Sequence, residues 1–397
     1  MSQERQAATR DIQPVLEALP RYVEAARSLK DILLANLVML AEIPAPTFGE
    51  QERIAMLEQR FCECGLSYCA ADDAGNAVAV LRGCGGQAGY TAVAAHADTI
   101  FAAEADHTVS LQCETVSGVG MADDAMGLAV LATLPTLLER LQLPLKHDLM
   151  LLGDVRSLGK GNIGGIRAFL DNNALNLRAA ICVEGGHLGR LSYFSSEMLR
   201  GEIVCQMPEP YEWQKYGAGN AILLLNEVIN EMHRIPLPQQ PLTHIVLGEV
   251  RGGTSFHHVP IDALLRFEVR SEEPGMAAGV GRTIAGICSE LASRRGANVR
   301  MDVIATRKVG GLPFDHPLPA AARDIQAALN LQPRIAPSFS ELAAFIDAGV
   351  PAVTIGTTWA QGVNTTRETL QIQPMFTGLA QLVGLLVALD NGGLCDG

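Results

Sequence analysis

AAHADTIF at 94–101, followed by SGVGMADDAMGL at 117–128, is the stretch on which the reading of the chain turns. A run of small and apolar residues leads into His96, with Asp98 two positions on. Strand side chains alternate faces, so His96 and Asp98 project to the same side. An imidazole placed in this way can hold a metal through one nitrogen while a carboxylate orients it through the other. A turn punctuated by Gly118 and Gly120 then delivers Asp123 and Asp124 at the start of an expected helix. Histidine and carboxylate at loop tips beyond strand ends suit zinc or a similar divalent ion. A lone His-x-Asp is more often a structural pair; the order of both pieces, with their glycines, favours the metal reading.

Outward from this stretch, apolar or β-branched runs alternate with helical patterns. NAVAVLRG, YTAVAAHAD, DLMLLGD and AAICVEGG read as strands, with LAVLATLPTLLERLQ and IGGIRAFLDNNA as helices between them. Such alternation predicts a layered α/β domain whose ligands gather beyond the carboxyl ends of the strands, where His96, Asp123, Asp154 and Glu184 fall. Residues 1–70 read as helices, with an interruption expected at Pro20. From about residue 199 the order becomes β-α-β-β-α-β: LRGEIVCQM, AGNAILLLNEVINEMHRI, THIVLGEVRGG, ALLRFEVRSE, GMAAGVGRTIAGICSELASRRG and ANVRMDVIATRKV. That is the order of a ferredoxin-like module. The expected domains are therefore 1–198 with 311–397, and an insert at 199–310.

The 397 residues are 48% hydrophobic and 18% charged, enough for one large core or two modest ones. With 43 acidic against 30 basic residues the net charge is −13, which disfavours nucleic acid and anionic membranes as partners. No basic-then-apolar segment opens the sequence. LAQLVGLLVALD at 379–390 is too short to span a bilayer and reads as a packed helix. The nine cysteines are scattered. Cys62, Cys64 and Cys69 lie near one another with no second cluster to complete a zinc ribbon, so reduced thiols in a cytoplasmic setting are expected.

These motifs, together with IPAPTFGEQERIAMLEQRF near the front, VEGG at 183–186, GGTSFHHVPIDALLRFEVRSE at 252–272 and AGVPAVTIG at 348–356, resemble the zinc aminoacylase, carboxypeptidase G and tripeptidase family of co-catalytic metallopeptidases. The resemblance runs from about residue 40 to 390. It implies an α/β/α metallopeptidase (phosphorylase/hydrolase-like) domain with an inserted ferredoxin-like α+β lid that dimerises and lends residues to the partner's site. It also implies two adjacent metals. The first would be held by His96, the bridging Asp123 and Glu184, with Asp98 supporting His96. One divalent ion, zinc or else manganese or cobalt, is expected there.

The second metal needs a Glu-Glu pair and a C-terminal histidine. Aligned on Gly159, the pair falls on Val155 and Arg156; aligned on Gly153, it falls on Asp154 and Val155. Asn364 stands where the histidine is expected. The first glutamate of the pair is the general base, whose loss costs on the order of 10²–10⁴-fold in rate. Asp154 is the candidate for an improvised base, with Asp124 behind it. In the lid, Tyr211 occupies the position of an oxyanion-stabilising histidine and His257 that of an asparagine. The resemblance assigns substrate contacts to Arg270, Tyr211, His257 and Asn220, Arg270 being equally readable as one half of a surface salt bridge. Three functions stay open: a single-metal peptidase or amidohydrolase acting on short peptides or N-acyl-amino acids, a pseudoenzyme that binds such a small anionic ligand, and a homodimeric scaffold with a vestigial pocket.

Overall fold

The computed structural model describes residues 2–172, 175–208, 219–256, 258–392 and 394, with side chains from residue 12 onward. Two compact units divide the chain, one of Met1–Phe194 with Gly310–Gly397 and one of Ser195–Val309.

The first unit is built on an eight-stranded sheet in the order Ser67–Ala71, Ala77–Leu81, His147–Asp154, Gln87–His96, Leu177–Glu184, Ala352–Gly356, Arg190–Ser192, Arg334–Ile335. The strands from His147–Asp154 to Ala352–Gly356 are mutually parallel. Their apolar runs are continuous because both faces are covered, yet the two faces alternate residue by residue. Val93, Ala95, Leu149, Leu151, Ile181 and Val183 join one core cluster. Ala92, Ala94, Met150, Leu152, Ala180 and Cys182 join another on the opposite face. Helices Ser2–Ser28, Lys30–Ala41, Gln51–Glu63, Met126–Leu141, Pro317–Ala328 and Ile372–Asp390 pack on the first face, and Gly164–Asn172 and Glu341–Asp347 on the second.

The helix Ser2–Ser28 runs unbroken through Pro14 and Pro20, which corrects the interruption expected from the sequence. Both prolines lie on the exposed side, where water can serve the carbonyl each leaves unbonded, while Val15, Leu19 and Tyr22 are buried. The C-terminal apolar stretch is also longer than it reads, being part of the 19-residue helix Ile372–Asp390. This helix and Met121–Leu141 are long and apolar enough to cross a membrane, and both are mostly buried as core helices.

The second unit is a four-stranded antiparallel sheet in the order Thr243–Gly252, Asp262–Ser271, Glu197–Gln206, Asn298–Arg307. Helices Ala221–His233 and Met276–Arg295 cover one face, closing a core around Ile203, Leu225, Val228, Leu265, Phe267 and Ile284. The chain order is the β-α-β-β-α-β of a ferredoxin-like module.

Candidate functional site

The parallel strands end level with one another: His96 is in register with Asp154, Ala94 with Cys182, and Gly356 with Glu184. His96, Asp154 and Glu184 share the alternation of Ala94, Leu152 and Cys182, so their side chains leave the sheet on one side. The turn leading to Asp123 is led in by the small strand Thr115–Gly118, which pairs with Glu368–Gln371. Gly120 has a left-handed backbone (φ 65°), and a Cβ there would lie 2.6 Å from a Thr99 methyl carbon. The turn continues irregularly through Asp123 and Asp124 to the helix Met126–Leu141.

His96 and Asp123 come together. Nε2 of His96 lies 2.8 Å from Oδ1 of Asp123, and Nδ1 lies 2.9 Å from the Asp98 carbonyl and 3.3 Å from its Oδ1. Both ring nitrogens thus face acceptors, the arrangement of an imidazolium. Burial works against the charged ring, but the bonds to Asp123 and Asp98 prevail and hold its pKa well above the ordinary histidine value. Asp98 holds His96 through the contacts to Nδ1 and is itself held on several sides. Its carboxylate accepts from Thr47 Oγ1 at 2.7 Å, Ser157 N at 3.1 Å and Leu158 N at 2.8 Å. Burial alone would push its pKa up; His96 and these donors bring it below the usual aspartate range.

Asp154 and Asp124 are both fully buried. Neither carboxylate oxygen of Asp154 has a hydrogen-bond partner, and burial, then the nearby Glu341 carboxylate, push its pKa well up. Asp154, the candidate base, is thus closed off from solvent in this structure, and its environment favours the protonated carboxyl. Asp124 gives its Oδ1 to backbone, accepting from Gly127 N and Gly185 N at 3.0 and 2.7 Å, while its buried Oδ2 has no hydrogen-bond partner.

The donors expected for a metal pair are not assembled. Val155 is 5% exposed and belongs to the first core cluster. Arg156 donates from Nη2 to the Ala74 carbonyl at 2.9 Å, in the turn before the strand Ala77–Leu81. Asn364 sits in a left-handed hairpin position (φ 64°), its backbone N–H bound to Glu368 at 2.7 Å. Glu184 is held by Arg190, Nη1 to Oε1 at 3.2 Å, with Ser340 Oγ at 3.3 Å from the same oxygen. Among the described residues no three His, Cys, Asp or Glu side chains converge on a point that could hold an ion. The residues present therefore do not fit the two-ion centre; His96, Asp123 and Glu184 do not form a three-ligand group among the described residues, and Glu184 is engaged by Arg190.

Sequence reasoning missed four members of this site. Arg190 lies four residues past VEGG and Glu341 seven before AGVPAVTIG, outside both motifs; Ser157 Oγ donates to the buried Glu341. Glu368 is fully buried and accepts from Ala122 N and Asn364 N, each at 2.7 Å, and burial raises its pKa to about 7. Arg53, also fully buried, donates to the Ala97 and Ile43 carbonyls, and burial lowers its pKa to about 10. A usable signal existed for Glu368 alone, an acidic residue closing the GVNTTRETL hairpin.

In the second unit, Arg270 ion-pairs with Glu268, which Arg200 also engages. Asn220 caps the helix Ala221–His233, its side chain accepting from Ile222 N and Leu223 N. Tyr211 and His257 lie outside the described residues.

No protein-family model matches the chain, and no curated protein matches it by sequence. Solved structures do match. The dipeptidase Dug1p from Saccharomyces cerevisiae has a TM-score of 0.78 at 12% identity, over 94% of this chain and 99% of that one. A tripeptidase from Staphylococcus aureus gives 0.70 at 19%, over 91% and 98%. The YXEP protein of Bacillus subtilis, described as a dinuclear metal-binding peptidase of the M20 family, gives 0.62 at 16%, over 91% and 99%. The chain has the fold of the M20 metallopeptidases, a mixed α/β domain with a separate smaller one, and differs from these structures in most of its sequence.

Proposed function

We propose that this chain uses a peptidase and amidohydrolase fold to bind a short peptide or an N-acyl-amino acid without hydrolysing it. The observation that carries this reading is the fate of the segment Asp154–Arg156. Amide hydrolysis on this fold needs a carboxylate beside the attacking water, to take its proton and pass it to the leaving nitrogen. Here the three residues of that segment are a sealed carboxyl, a core valine and an arginine turned to a backbone carbonyl. Within the first unit, His96 with Asp123 and Asp98 remain as a polar, charged group. In the second unit, Arg270, paired here with Glu268, is the residue that the family resemblance offers for a ligand carboxylate.

Hydrolysis by a single ion keeps one observation in its favour, the 2.8 Å approach of His96 to Asp123, two residue types that bind zinc, manganese or cobalt. A homodimer belongs to the same reading. The strand Thr243–Gly252 is a sheet edge that exposes Val246, Leu247 and Val250, and the neighbouring helix exposes Ile222 and Leu223. The free state of the eight described cysteines suits a reducing, cytoplasmic setting. The test is calorimetric binding of N-acyl-amino acids and di- and tripeptides. Saturable binding that Arg270→Ala weakens supports the reading; absence of binding by every member of the panel contradicts it.

A further inference from the structure

Glu184 and Arg190 stand six residues apart on either side of a tightly pinned turn. Gly185 N bonds Asp124 Oδ1, Gly186 N bonds the Ala122 carbonyl at 3.1 Å, and Thr357 N bonds the Glu184 carbonyl at 2.9 Å. On the far side Arg190 N returns to the His187 carbonyl at 2.8 Å, Gln326 Nε2 bonds the Arg190 carbonyl at 3.1 Å, and Arg334 pairs with Arg190 in the sheet. Both backbones are thus fixed independently of the ion pair, and the guanidinium is delivered to the carboxylate by the fold. The side chains of Arg190 and Glu184 are 21% and 14% exposed, where screening by water is incomplete.

We propose that Arg190 is a built-in cation of this site, serving Glu184 as counter-ion in place of a divalent metal, so that metal and arginine compete for one carboxylate. Glu184 is the carboxylate that would complete a set with His96 and Asp123, and its Oε1 already takes Arg190 and Ser340. A guanidinium is always charged and matches a carboxylate in shape. An incoming ion must displace it and then sit near its released positive charge. The site is thereby organised with no metal requirement. This goes beyond the question of turnover, since the exchange would hold for an active or an inactive chain.

The experiment is zinc binding by equilibrium dialysis on the full chain, comparing the wild type with Arg190→Gln, Arg190→Lys and the double variant Arg190→Gln/Glu184→Gln. Removing the competing charge should tighten binding by about 10- to 100-fold in Arg190→Gln. Arg190→Lys should stay near the wild type, and the gain should vanish in the double variant. Equal binding by wild type and Arg190→Gln, or a gain that survives loss of Glu184, would overturn the proposal. A second measurement needs no variant: melting of freshly purified wild type should be unmoved by a chelator, and a clear chelator-induced drop would also overturn it. Turnover of a peptide by the wild type would sink the non-hydrolytic reading and leave this one standing.

Discussion

At the scale of single residues, Asp154 makes the sharpest statement. Its folded pKa is raised by burial, so the native state keeps a proton that the unfolded chain releases at lower pH. Stability then falls as pH rises from the ordinary aspartate range through the folded pKa. Asp154→Asn stays neutral at every pH, and urea unfolding between pH 4 and 8 should show it losing less stability with rising pH than the wild type. Parallel slopes would show that Asp154 does not titrate as its burial requires. Glu368 behaves oppositely on substitution. Both of its oxygens accept backbone N–H groups, so Glu368→Gln turns an amide donor toward one of them. The expected cost is about 1–3 kcal/mol despite removal of a buried charge, measured from the urea midpoint at pH 8; a stabilised variant would contradict it. His96, Asp98 and Asp123 were legible because a strand end and a glycine turn carry them. Arg190 and Glu341 were not, because a counter-ion needs no spacing motif, only a fold that brings it near.

At the scale of elements, the segment after the strand His147–Asp154 explains why rebuilding the site is not a matter of changing letters. Val155 is packed in the core, so Val155→Glu should bury an unpaired carboxylate and cost at least about 3 kcal/mol, read by denaturant unfolding. A variant within experimental error of the wild type would mean that this position can turn outward. Close packing also limits the helix Ile372–Asp390. A Cβ at Gly378 would lie 2.0 Å from the Thr357 carbonyl oxygen, directly after the strand Ala352–Gly356. Gly378→Ala should cost about 1–3 kcal/mol through overpacking, and an unchanged melting temperature would contradict that contact. The strands were readable because their apolar runs stand between turn signals. The unbroken helix through Pro14 and Pro20 was not, since which side of a helix faces water is settled by the packing of residues far away in sequence.

At the scale of the whole molecule, the layered domain and the β-α-β-β-α-β insert were both visible in the rhythm of the sequence, and structures of M20 peptidases at 11–19% identity carry the same fold. What the rhythm could not disclose is which carboxylates the fold leaves free. The edge strand with Val246, Leu247 and Val250 should make the protein a dimer by light scattering at micromolar concentration, and Val250→Lys with Leu247→Lys should shift it toward monomer. A wild-type monomer would remove that surface from the account. The central claim is that ligand binding has outlived hydrolysis on this fold. Its most direct test is wild-type turnover on a broad panel of N-acyl-amino acids and di- and tripeptides, with added zinc, manganese or cobalt. The account predicts no chelator-sensitive hydrolysis above background from a protein that binds members of the panel. Chelator-sensitive turnover in the usual enzyme range of about 1–10³ s⁻¹ on any substrate would contradict it.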